Sequence, residues 1–316
     1  MKKKKFVVTG GTGFIGSALI RHLVEEGRKV RVLLRPSSDT PNLPTGIPLE
    51  IAIGNISDEK NLRSAMIGVD TIYHLAGAEW QGVRADLNEI EITGIKSILK
   101  AAQDAGIKRI VYISHIGADR ASAYPVLKVK GITEEFIRKS GITYTIIRSS
   151  LVFGPNDHFT TALAKLMSLF PIFFPIPGDG QVMFQPIWIE DLAACLSWSL
   201  DREEMKNQTY TIGGPEFISL SEVFHKVADS AGIRRKFFSL PPTYFRLGGV
   251  LLEYFLPGLP LSVYWLDYLS TSRTCEIDTV SRIFGLLPSR FEQHLGHLKN
   301  QKWLKLAFKD MRFRKG

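Results

Sequence analysis

Residues 6–20 read FVVTGGTGFIGSALI, from Phe6 to Ile20. Three apolar residues lead into a run of glycines, and an apolar pattern of helical period follows. Gly10, Gly13 and Gly16 fall three residues apart between a predicted strand and a predicted helix. The first allows a tight turn, the second lets backbone approach a pyrophosphate, and the third lets the helix pack against the strand. Ile15, Ala18, Leu19 and Leu23 continue the helical spacing, and Gly27 stops it. A helix beginning there points free N–H groups at whatever anion the loop cradles.

The rhythm set by this stretch persists downstream. Strands are predicted at Val30–Leu34, Leu49–Ile53, Thr71–Ala76, Arg109–Ser114 and Thr143–Arg148. Between them, Ser57 is expected to cap a short helix with Asp58 and Glu59 in its first turn. Leu87, Ile90, Ile95, Ile98, Leu99 and Ala102 outline the apolar face of another helix, and residues 126–139 form a third. Alternation of strand and helix, with a proline-rich loop at 36–48, predicts an α/β fold, a doubly wound parallel sheet of Rossmann type. Residues 1–154 are expected to form this dinucleotide-binding domain, with a strand and helix from 181–213 returning to it. Residues 155–180 and 214–316 are expected to make a smaller C-terminal α/β lobe that covers the substrate. Within that lobe, 171–177 reads as a proline-rich loop and Ser219-Leu-Ser-Glu222 as a capping box.

The end of the second strand bears on cofactor type. An acid there would accept from adenosine ribose hydroxyls, but the chain has Arg35-Pro36-Ser37-Ser38. Arg35 suits a 2′-phosphate, so NADP is expected, with NAD as the alternative.

Composition excludes several classes. The chain has 316 residues, 45% hydrophobic and 22% charged, as expected of globular protein. Cys195 and Cys275 form no CxxC, and no metal-ligand set is expected: His294 and His297 have no carboxylate or cysteine to complete one. A reducing cytoplasm is the expected compartment. The apolar stretch Tyr244–Leu269 is interrupted by Arg246, Glu253, Pro257, Pro260 and Asp267, so no membrane span is expected. The net charge of +9 resides in the termini, at Lys2–Lys5 and at seven basic residues between Lys299 and Gly316. A body without a basic stripe argues against nucleic acid. The basic C-terminal tail reads as solvated, or as a contact for an anionic membrane or a partner complex.

The stretches VTGGTGFIG, GNISDEKNLRSAMIGVDTIYHLAG, AGIKRIVYIS, YTIIRSSLVFGP and FQPIWIEDLA together resemble the extended and atypical short-chain dehydrogenase/reductases, over roughly residues 5–295. Within that superfamily the chain is similar to the epimerase/dehydratase-like proteins. It also resembles the branch that includes the NADPH-binding accessory subunit of respiratory complex I. The resemblance implies that Thr12, Phe14 and Ile15 line the pyrophosphate loop and that Asn55 and Ile56 bracket adenine. It implies that Leu75, Ala76 and Gly77 pass along the ribose next to the nicotinamide. Ser114 is implied near the reacting carbon. Glu91 stands where the family usually has an asparagine that helps hold the active-site lysine. Family members often form homodimers.

The family's proton relay is a YxxxK pair, and ASAYPVLKVKG, residues 121–131, offers two registers. One makes Tyr124 and Lys128 the pair. The other, counted back from EEFIRKSGITYTIIR, puts Lys130 at the lysine and Val126 at the tyrosine. Pro125 favours the second, because proline starts helices and pushes the residue before it out of helical geometry. Lys130 is then the ribose-holding lysine, with Tyr124 reaching in from the turn or Ser114 handling the proton. His115, Asp191, Tyr264, Trp265 and Tyr268 are weaker candidates, with capping or core packing the expected roles of the last four; Cys195 reads as core.

The leading expectation is an NADP-dependent oxidoreductase acting on a bulky apolar carbonyl or alcohol as small-molecule substrate. A dinucleotide-binding structural or sensory subunit is the first rival, and a nucleotide-sugar epimerase or dehydratase the second.

Overall fold

A computed structural model describes residues 4–37, 41, 43–77, 82, 85–255 and 262–313. Its opening run is β1 (Lys5–Thr9), α1 (Phe14–Glu25), β2 (Lys29–Leu34), β3 (Glu50–Ile53), α2 (Glu59–Met66) and β4 (Thr71–His74). A π-helical turn at Asn88–Thr93 runs into α3 (Gly94–Asp104), followed by β5 (Arg109–His115), α4 (Pro125–Lys139) and β6 (Thr143–Ser149). Then come β7 (Val152–Phe153), α5 (Thr160–Leu169), β8 (Phe173–Pro177), β9 (Met183–Phe184), β10 (Ile187–Trp188), α6 (Ile189–Trp198) and β11 (Gln208–Ile212). The remainder is β12 (Ile218–Ser219), α7 (Leu220–Ala231), β13 (Lys236–Leu240), α8 (Pro242–Phe255), α9 (Val263–Leu269), α10 (Thr279–Phe284) and α11 (Trp303–Phe313).

The chain divides into two compact units. The first comprises Met1–Ala78, Ala85–Ser149 and Ile189–Ile212. It holds a parallel seven-stranded sheet in the order β11-β6-β5-β4-β1-β2-β3, the Rossmann arrangement with helices on both faces. Alternating strand and helix build it because a parallel strand buried on both faces needs an apolar crossover. One core layer joins Ile72, Ile110 and Ile146 of the sheet to Leu62, Ile98, Ala102 and Ile137 of the helices. The N-cap of α2 is Asp58 and not Ser57: its carboxylate accepts from the amides of Lys60 and Asn61.

The second unit comprises Glu79–Arg84, Ser150–Trp188 and Gly213–Gly316. Its core gathers Phe153, Phe159, Leu163, Phe184, Phe224 and Phe291, with Trp265 and Tyr268 in the same cluster, so these two aromatics serve packing. The capping box at Ser219 and Glu222 forms as predicted. Residues expected as a proline loop contain β8, paired parallel to β13. A two-stranded ribbon leaves each strand one free edge, where prolines with no N–H are tolerated. The C-terminal tail is not all solvated chain: α11 packs on α5, and Lys165 bonds Asp310 at 2.7 Å. No helix among the described residues is long and apolar enough to cross a membrane.

Candidate functional site

The glycine loop is built from backbone contacts that admit no side chain. Gly10 has φ +74°, and a Cβ there would lie 2.6 Å from the Ala76 nitrogen. A Cβ on Gly16 would lie 2.2 Å from the Gly10 carbonyl oxygen. Thus α1 starts hard against the end of β1. Gly13 caps it without a side-chain bond, and its first turn carries no acid. The opening amides therefore have no internal acceptor and no competing carboxylate, which fits a pyrophosphate. Thr12 is exposed, and Phe14 and Ile15 lie half-buried on this turn.

The adenosine side is open. Thr9 pairs with Leu33 at the end of the β1–β2 register, and Arg35, just past the end of β2, is exposed. Asn55 is exposed too, and its side-chain oxygen accepts from the Ser57 amide at 3.3 Å. Ile56 is half-buried and packs toward Gly94. Leu75, Ala76 and Gly77 follow β4 half-buried, with the Leu75 amide donating to the Thr9 carbonyl at 3.1 Å. Ser38 lies outside the described residues.

The opposite side is a buried polar cluster. Helix α4 begins at Pro125 with Tyr124 as its N-cap, φ −86° and ψ 120°. Lys128 is exposed, whereas Lys130 is buried. The geometry thus corresponds to the second register, with Val126 one turn before the buried lysine. Tyr124 is half-buried at the helix entrance. Lys130 Nζ lies 2.9 Å from Glu91 Oε1, and the two side chains are only 3% and 1% exposed. The Tyr112 hydroxyl donates to Glu91 Oε2 at 3.3 Å, and the Lys130 ammonium sits 5.3 Å from the Tyr112 ring centroid.

Glu91 lies within the π turn, four residues after Leu87, on the same buried face. The apolar spacing had placed Ile90 on the core face, but Ile90 is half-buried and Glu91 takes that place after Leu87. The Glu91 carbonyl accepts from Thr133 Oγ1 of α4 at 2.9 Å.

Two further groups complete the cluster. The His74 ring stacks on Tyr112 with centroids 5.6 Å apart, and His74 Nδ1 lies 2.7 Å from Thr9 Oγ1. Burial and the Lys130 charge lower the His74 pKa to about 3, so its imidazole is neutral at ordinary pH. Its Nε2 has no hydrogen-bond partner among the described residues. Ser114 donates to Glu134 Oε1 at 2.6 Å, and Glu134 also accepts from Arg138 and Arg148, each at 2.6 Å. A serine hydroxyl has one proton, and Glu134 holds it.

The weaker candidates have structural surroundings. His115 ends β5, half-buried. Asp191 lies in the first turn of α6, and Cys195 is buried in that helix with its thiol pKa pushed up by desolvation. In the second unit, His294 stacks on Trp188 at 4.2 Å and His297 Nε2 lies 3.1 Å from Thr160 Oγ1. No metal-binding cluster occurs among the described residues. Sequence reading missed His74 and Tyr112, although the short polar interruption in TIYHLAG marked the former.

Residues 10–161 match the NAD(P)H-binding family model. A protein of Synechocystis that carries the provisional name dihydroflavonol 4-reductase is 30% identical over 252 residues, 72% of this chain and 73% of its own. Subunit 9 of the mitochondrial NADH dehydrogenase (ubiquinone) 1 alpha subcomplex from Arabidopsis thaliana is 26% identical over 243 residues. That match takes 74% of this chain and 60% of the plant subunit. The NADPH-dependent quinone oxidoreductase of Escherichia coli, solved with NADPH, superposes with a TM-score of 0.72 at 19% identity, covering 93% of this chain and 99% of its own, and so shares the fold. With the glycine loop, the parallel sheet and the curated relatives in agreement, the chain belongs to the extended and atypical short-chain dehydrogenase/reductase family of NAD(P)-binding proteins.

Proposed function

We propose that the protein is an NADPH-dependent oxidoreductase that moves hydride between the nicotinamide and a bulky apolar carbonyl or alcohol. Arg35 carries the cofactor preference. It follows directly on the end of β2, exposed, where a ribose-binding acid would otherwise be. Its planar guanidinium suits a 2′-phosphate. When bound, the nicotinamide supplies or takes the hydride. Lys130, pinned by Glu91, would hold the adjoining ribose hydroxyls. Val126 carries no proton, and the Ser114 proton is held by Glu134, which leaves Tyr124 at the α4 entrance as the group to exchange a proton with the substrate oxygen. The aromatic content of the second unit supports an apolar substrate over a bare sugar, and the reductase name of the Synechocystis relative points the same way.

A second reading is a dinucleotide-binding subunit without turnover. The valine one turn before Lys130 favours it, as does the likeness to the respiratory subunit. Titration with NADPH and NADH, followed by nicotinamide fluorescence in wild type and Arg35→Ala, tests the cofactor reading. NADPH should bind more tightly, and Arg35→Ala should weaken it about tenfold while sparing NADH. Equal or tighter NADH binding would overturn the assignment. NADPH oxidation is then followed with a panel of apolar ketones and quinones. Turnover that falls in Tyr124→Phe supports the oxidoreductase; tight binding with no turnover selects the second reading.

A further inference from the structure

We infer that the second unit carries a docking surface for an anionic lipid bilayer, formed by the outer face of α8 and the ribbon of β8 and β13. Helix α8 turns its most apolar stripe away from the protein. Tyr244, Leu247, Leu251, Tyr254 and Phe255 recur at helical spacing and are exposed, Tyr254 at 76% and Phe255 at 71%. The inner face is Gly249 and Glu253, with Phe245 and Leu252 packed half-buried on the core. An ordinary surface helix has the reverse polarity. The apolar surface continues beyond the helix. Helix α8 lies against β8, whose Phe173 is exposed beside Lys236 in the β8–β13 register, and Phe238 is exposed two residues along.

Charge selects the occupant. Segments 170–178 and 232–255 contain four basic residues, Arg234, Arg235, Lys236 and Arg246, and one acid, Glu253. Glu253 is buried and accepts from the Val263 amide at 2.8 Å, so it adds nothing to the exposed face. Arg246 is paired with Asp267. Arg234 and Lys236 are exposed at the ribbon's edge. An apolar helix face with tyrosines, bordered by the exposed cations Arg234 and Lys236 and by one exposed acid, Asp179, at the ribbon's end, has the composition of a segment lying in the headgroup layer of a negatively charged leaflet. It lies on the membrane and does not cross it, consistent with the absence of a spanning helix among the described residues.

The test is co-sedimentation of the full chain with vesicles of phosphatidylcholine alone or with phosphatidylglycerol added. Three proteins are compared: wild type, Leu247→Glu/Tyr254→Glu and Arg234→Gln/Lys236→Gln. Light scattering after gel filtration gives the mass of each. Wild type should pellet with the anionic vesicles and be released by about 0.5 M NaCl. The glutamate pair should abolish binding, and the glutamine pair should weaken it about tenfold. Both exchanges are at exposed positions, so the thermal midpoint should stay near that of wild type. Wild type remaining in the supernatant with both vesicle types would overturn the proposal. So would pelleting that the glutamate pair leaves intact. A wild-type dimer that the glutamate pair turns into a monomer, without vesicle binding, would reassign the face to a second copy of the chain.

Discussion

Lys130 of α4 and Glu91 of the π turn form a buried ion pair 2.9 Å long. The family resemblance implies an asparagine where Glu91 stands. A neutral amide would leave the lysine's charge uncompensated inside the protein, whereas the carboxylate balances it. The arrangement fixes the ammonium in one place and makes each partner depend on the other.

Removing one partner should therefore be costly. Glu91→Ala strands a buried ammonium and is expected to destabilise the fold by about 3 kcal/mol. The double variant Glu91→Ala/Lys130→Met, with neither charge, should recover most of that loss, with Lys130→Met as the other single. Urea denaturation of the single and double variants gives the coupling. Additive losses would show that the pair is not coupled.

His74 should make stability pH-dependent with a definite sign. Its folded pKa is lowered to about 3 from an ordinary 6.5 by burial and by Lys130. Between those values the unfolded chain binds a proton that the folded protein does not. The contribution of His74 is present in full above pH 6.5 and is lost as pH falls toward 3, by about 1 kcal/mol per pH unit in mid-window. Denaturation midpoints between pH 4 and pH 7 should rise with pH, and His74→Gln should flatten the rise. His22 acts in the opposite sense: the Glu190 hydrogen bond raises its pKa, so its stabilisation fades as pH climbs past the ordinary histidine range.

Gly16→Ala should damage fold and cofactor binding together. The new methyl would meet the Gly10 carbonyl at 2.2 Å, and backbone must move to admit it. A loss of about 2 kcal/mol in urea is expected, with nicotinamide fluorescence no longer responding to NADPH. Unchanged binding would show that the loop is not the phosphate cradle.

Ser114→Ala separates a structural from a proton-carrying serine. Glu134 would keep Arg138 and Arg148 and lose one neutral donor. A cost of about 1 kcal/mol is expected, with the pH profile of any NADPH oxidation unchanged. A shifted profile would move the proton step to Ser114.

What the sequence determined by itself is what depends on neighbours in the chain. The glycine loop, the helix after it, the alternation that makes the parallel sheet and the box at Ser219 and Glu222 all follow from spacing, propensity and capping within a few residues. The cap is one residue later than expected, at Asp58 and not Ser57, because adjacent serine and aspartate are both good N-caps. Tertiary structure decided the rest. Pro175 and Pro177 lie in a strand because β13, far along the chain, supplies a partner on one edge only. Lys130, and not Lys128, is buried because Pro125 starts α4 and the helix turns Lys130 inward. Glu91 meets Lys130 because α4, distant in the chain, turns Lys130 toward it. An ion pair between two helices depends on helical phase and on packing, and neither is set by the residues beside it in the chain.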